Sequence, residues 1–246
     1  MDSWDFINNT PTVVDTEGHG THVAGIAAAL TSNGTGIAGA SPDGLLFNYK
    51  VCDDLGCADE DIIAAINEAV RLDAEVINLS LGGYGSSTVA QNAVDNAWRN
   101  NVVVVASAGN DAVSTPNYPA AYPNAIAVSA TNTSNGDSNF SNFGSWVDVA
   151  APGGQLGAPN SQRILSTLPV ALGSYGHKNG TSMAAPFVSG IAANLASRGL
   201  PATEIRRRLE ATATDLGAPG KDVLFGRGLV NAHAAATNDT APGCGT

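Results

Sequence analysis

The sequence predicts a three-layer α/β/α domain built on a mainly parallel sheet. Three observations carry this. Residues 102–106 read Val-Val-Val-Val-Ala, and residues 125–129 are nearly as apolar; strands without alternation are buried on both faces, as parallel strands covered by helices are. Such runs alternate with stretches of helical periodicity. The chain has 246 residues, 43% hydrophobic and 13% charged, which suits one large domain with a sizeable core. Residues 1–236 are taken as that domain and 237–246 as a polar tail.

In chain order, an Ala-rich helix opens at the His19–His22 segment, and residues 45–51 read as a strand. Residues 59–71 form a helix with acidic residues in its first turn, where the helix dipole favours them. Residues 75–80 are the next strand, stopped by Gly82 and Gly83, and 87–100 the next helix. The two apolar strands at 102–106 and 125–129 follow. Residues 181–197 form a long Ala-rich helix with Pro186 inside its first turns, and 201–211 a helix with Pro201 at or near its first position.

The net charge of -11 disfavours nucleic acid as a partner. The one tight basic run, Arg206-Arg207-Arg208, falls in an amphipathic helix and reads as a solvated face. No apolar run reaches membrane-spanning length. Cys52 and Cys57 lie five apart with no His nearby, a poor zinc set; a disulfide-closed loop is the first reading and two free thiols the second. Cys244 is the odd cysteine, left to pair with one outside this sequence or with none.

Three segments place a reactive group where a strand gives way to a helix or loop. Gly18-His19-Gly20-Thr21-His22-Val23-Ala24-Gly25 puts two His at i, i+3; a metal would need further ligands, and His177 and His233 are far off in sequence. Ala106-Ser107-Ala108-Gly109-Asn110 ends a buried strand in small residues and a carboxamide, a donor type suited to a developing oxyanion. Gly180-Thr181-Ser182-Met183-Ala184-Ala185-Pro186 sets a hydroxyl in the first turn of a helix, where N–H groups favour negative charge. Alone, these read as a helix start, a turn and an N-cap. Together they supply nucleophile, base and oxyanion donor for acyl transfer.

These three runs, in this order, resemble the subtilisin-like (subtilase) family of serine proteases. The likeness extends from about Trp4 to Ala232, and Trp4-Asp5-Phe6 and residues 30–39 are most similar to its thermitase-like branch. The resemblance implies Ser182 as nucleophile, His19 as general base and Asn110 as oxyanion donor with the Ser182 N–H. It implies that Ser80-Leu81-Gly82 pairs with an extended substrate, and that Ser107, Ala108, Gly109 and Asn117 line the first specificity pocket, whose small neutral residues suit uncharged side chains. Leu30, Asn33, Thr35 and Ile37 resemble part of a calcium loop; no organic cofactor is implied. The expected protein is a secreted monomer acting on protein or peptide substrates.

The family's domain opens with a strand ending in the triad aspartate, and no Asp-Thr-Gly or Asp-Ser-Gly precedes His19. The fold expectation is therefore of a sheet whose first strand is missing, from a natural chain with a signal, a pro-segment and that strand upstream. The run Asp15-Thr16-Glu17-Gly18 abuts His19, and Asp15 is not taken as a replacement. The alternative is an inactive fragment or pseudoprotease that binds peptides. The sedolisin family shares a Gly-Thr-Ser nucleophile but pairs it with acids, against His19 and Asn110. No Gly-x-Ser-x-Gly elbow is present.

Overall fold

The computed structural model describes residues 3–240; Cys244 and the end of the expected tail lie outside them. The chain runs β1 (Ser3–Asp5), α1 (His19–Ala28), β2 (Asn48–Lys50), β3 (Cys52–Asp53), β4 (Gly56–Cys57), α2 (Asp59–Arg71), β5 (Val76–Leu79), α3 (Thr88–Arg99), β6 (Val103–Ser107) and β7 (Ala125–Thr131). It continues through β8 (Val149–Pro152), β9 (Ile164–Thr167), β10 (Tyr175–Lys178), α4 (Thr181–Ala196), α5 (Ala202–Ala211) and α6 (Ala232–Thr237). Thr237, assigned to the tail from sequence, closes α6.

The centre is a parallel sheet in the order β5-β6-β7-β8. Its strands present opposite faces to two cores, because successive side chains alternate. Val103 and Val105 of β6 join Ile126 and Val128 of β7 against Ala184, Val188 and Leu195 of α4 and Ile205 and Leu209 of α5. Val104 and Ala106 face the other way, onto Ile62 and Ile66 of α2 and Val94 and Ala97 of α3. Every residue of β6 is buried, Ser107 at its end included, as the unbroken apolar run over 103–106 leads one to expect. The three-layer expectation holds.

The ladder is interrupted, however. β1 and β2 pair with each other in parallel and stand apart from the four-stranded sheet; among the described residues no strand joins β2 to β5. The strand read over 45–51 shrinks to Asn48–Lys50, with Leu45 90% exposed, because β1 offers only three residues to pair with. Cys52 and Cys57 form a disulfide across the β3–β4 hairpin, settling the choice left by the sequence. The arginine run is not a free basic patch: Arg206 pairs with Asp148 and Glu210, and Arg207 and Arg208 with Glu204.

Candidate active site

α4 opens at Gly180, whose φ of 151° and ψ of 159° lie outside the helical region. The first N–H groups of a helix have no partner within it. Asn110, at the end of the β6 loop, turns its carboxamide to that opening. Its Oδ1 accepts the Thr181 N–H at 2.8 Å and the Thr181 hydroxyl at 3.0 Å, and the same hydroxyl accepts the Gly109 N–H at 3.0 Å. Because a backbone N–H only donates, this contact fixes which end of the amide is oxygen. The Asn110 NH₂ is left for the cleft. A methyl on Gly180 would lie 3.6 Å from Ser182 N, 3.6 Å from Asn110 Oδ1 and 3.8 Å from Asn110 Nδ2, so the Asn110 carboxamide and the Ser182 N–H both stand close to the opening of α4.

Pro186 has a structural consequence at Ser182. It has no N–H to give the carbonyl four residues earlier, which is that of Ser182. The Ser80 hydroxyl fills the vacancy, donating to Ser182 O at 2.8 Å, and itself accepts from Asn78 Nδ2 at 3.0 Å. Asn78 Oδ1 in turn accepts from Ser189 of α4 at 2.9 Å. The end of β5 is thereby tied to the backbone of the nucleophile candidate. Ser182 Oγ makes only a long bond, 3.4 Å, to Ser80 O and none to His19. Such contacts tighten with substrate bound.

His19 is the first residue of α1. It lines a cleft of about 450 Å³ with Asn110, His177, Lys178, Asn179, Ser182 and Met183. The structure thus gathers the three catalytic candidates in one cleft. Burial and the Lys178 charge hold the His19 ring below its ordinary pKa, with Asp15 opposing. A base that is neutral at neutral pH is ready to accept a proton. Asp15 itself is engaged elsewhere: its Oδ1 accepts from Gly18 N at 2.7 Å, and its Oδ2 from Thr21 N at 2.8 Å and the Thr21 hydroxyl at 2.6 Å. It caps α1. Burial alone would push its carboxyl up; the bonds from Thr21, Gly18 and Glu17 together outweigh burial and hold it below the usual range. Among the described residues no carboxylate hydrogen-bonds His19.

The expected substrate-binding residues are not among those lining this cleft. Ser80, Leu81 and Gly82 lie at the carboxyl end of β5, with Gly82 exposed. Ser107 and Ala108 are buried, and Asn117 is buried behind them, its Nδ2 donating to Ser107 O at 3.2 Å. That bond ties Asn117 to the end of β6. Sequence reasoning gave no role to Asn142, which is fully buried and accepts from Asp111 N at 2.9 Å and Val113 N at 3.2 Å, bracing the loop that carries Asn110. Nor did it find the cleft wall of His177, Lys178 and Asn179. No metal set forms around the two histidines: among the described residues no three His, Cys, Asp or Glu side chains cluster.

Leu30, Asn33, Thr35 and Ile37 follow α1 in a mostly exposed loop. Asn33 Oδ1 accepts from Thr35 N at 3.0 Å, an Asx turn. Calcium takes six to eight oxygens, commonly with carboxylates among them. Four residues with neutral donors, one already used in a turn, do not complete such a cage, so no step below uses the ion.

The fold and the matched sequence define the class. The subtilase (peptidase S8) family pattern matches residues 1–228, and the chain belongs to that family. Thermitase of Thermoactinomyces vulgaris is 45% identical over 233 residues, covering 94% of this chain and 79% of thermitase. A thermophilic serine proteinase of a Bacillus species is 44% identical over 95% of this chain, which spans only 56% of that relative's length. The crystal structure of a lanthipeptide protease superposes with a TM-score of 0.86 at 31% identity, covering 96% of this chain and 80% of that one.

Proposed function

We propose that this chain is a serine endopeptidase acting through an acyl-enzyme on Ser182. The observation that carries the reading is the cleft shared by His19, Asn110 and Ser182, with two donors, Asn110 Nδ2 and Ser182 N, both near Gly180 at the opening of α4. His19 takes the Ser182 hydroxyl proton as Oγ attacks the peptide carbonyl. The oxyanion is held by the two donors. Collapse breaks the C–N bond, and the leaving amine receives the proton from His19. Water, losing a proton to His19, then hydrolyses the ester and restores Ser182. An extended substrate pairs with the backbone of Ser80-Leu81-Gly82, and an uncharged side chain fits beside Ser107, Ala108, Gly109 and Asn117. Protein or peptide substrates, secretion and a monomeric state belong to the same proposal.

Asp15's commitment to α1 favours one second reading, an inactive peptide-binding form. The imidazolium would lack a carboxylate to orient and stabilise it. Loss of that carboxylate alone costs a subtilisin about 3 × 10⁴ in turnover. Incubation with an unfolded protein such as reduced casein decides between the two. The protease reading expects slow internal cleavage and labelling of Ser182 by a fluorophosphonate. Peptide binding with neither cleavage nor labelling would establish the inactive form.

A further inference from the structure

His22, one turn beyond His19 on α1, is unused by the mechanism. It is fully buried, and its Nε2 lies 3.1 Å from both Ile164 O of β9 and Gly176 O of β10. Two carbonyls face this nitrogen, so it carries the hydrogen and donates to both. Its Nδ1 is buried without a partner. An unpartnered buried polar atom is costly, and an apolar side chain of similar size would avoid that cost. The ring's contribution therefore lies in what the other nitrogen holds.

What it holds is the approach to the nucleophile. β10 ends at Lys178; His177, Lys178 and Asn179 form the cleft wall, and Ser182 follows four residues after Lys178. α1 meets β9 at close quarters. A methyl on Gly25 would lie 2.2 Å from Thr167 Oγ1, and the Ser166 hydroxyl donates to His22 O at 2.7 Å. These other ties reach β9. Among the described residues, His22 is the side chain of α1 that bonds β10.

We infer that His22 is a positioning residue, which fixes the strand leading into Ser182 against the helix that carries His19. The inference rests on the protease reading. Burial pushes the His22 ring down to about 4, against the two carbonyl bonds, so the single-donor form is present at all ordinary pH values. A displacement of about 1 Å between reacting groups costs on the order of 10²-fold in rate.

The test compares His22→Leu, His22→Gln, His22→Asn and Ser166→Ala, each held well below its own unfolding midpoint. The readouts are the second-order rate of fluorophosphonate labelling at Ser182, the peptide concentration that protects against it, and amide exchange at residues 177–179. His22→Leu is expected to slow labelling about 10- to 100-fold and to speed exchange, with the protecting concentration unchanged. His22→Gln, which still offers a donor, recovers most of the rate. Ser166→Ala loses stability without slowing labelling. If His22→Leu does not fold, a slow His22→Asn beside a fast His22→Gln decides the question in the same direction. Wild-type labelling rates in His22→Leu, or equal slowing in Ser166→Ala, overturn the inference. Failure of the wild-type chain to label withdraws the protease reading, and the positioning role with it.

Discussion

Ser182→Ala is expected to abolish covalent capture by a fluorophosphonate and to lower peptide turnover by only about 70-fold. The modest second figure follows from how triad members act as a unit. In a subtilisin, removing the nucleophile costs about 2 × 10⁶ and removing the carboxylate alone about 3 × 10⁴. On the proposed mechanism, a base that acts without a carboxylate, as His19 does among the described residues, forfeits most of what the nucleophile confers. The remainder is the ratio of the two. Turnover measured on one peptide, with and without the substitution, checks the figure; a loss approaching about 10⁶ would mean that His19 finds a carboxylate after all.

Asn110→Leu is expected to lower turnover by about 10²–10³ with little change in KM, because the amide contacts an oxygen that is charged only in the transition state. The direction has a second cause in this fold. Asn110 Oδ1 receives both Thr181 donors, so removing the amide also strands the buried Thr181 N–H. Asn110→Asp separates these effects. It keeps the acceptor for Thr181 but replaces the cleft-facing donor with negative charge. It should be as slow as the leucine variant, or slower, while remaining as stable as the wild type. Steady-state kinetics and thermal unfolding on the two variants check this.

Three of the four strands of the central sheet, β5, β6 and β7, were legible because they are largely apolar on both faces, and the flanking helices carry their own boundary signals; the fourth, β8, was not read as a strand. Residues 59–71 match α2 to the residue, with acids at one end and Arg71 at the other. The β9–β10 hairpin was not legible. Its residues mix Gly, Pro, Ser and apolar side chains, and it is held by α1, 142 residues away in sequence at the His22–Ile164 contact. The same distance hid His22: the second His of an i, i+3 pair was visible, but its two carbonyl partners were not. Asp15 was read rightly from its position. The sequence alone argued against it as the triad carboxylate, and its oxygens cap the helix. Ser80 was read as a substrate-binding residue; its bond to Ser182 O depends on Pro186, and that link becomes visible only when β5 and α4 are side by side.

The proposed mechanism requires Ser182, His19 and Asn110 to converge around one developing charge. A crystal structure of the chain after phosphonylation tests this most directly. The expected result is phosphorus on Ser182 Oγ, its oxygen about 2.7–3.1 Å from both Asn110 Nδ2 and Ser182 N, and the His19 ring against the phosphonate. An adduct whose oxygen points to solvent, with Asn110 or His19 turned away, would contradict it.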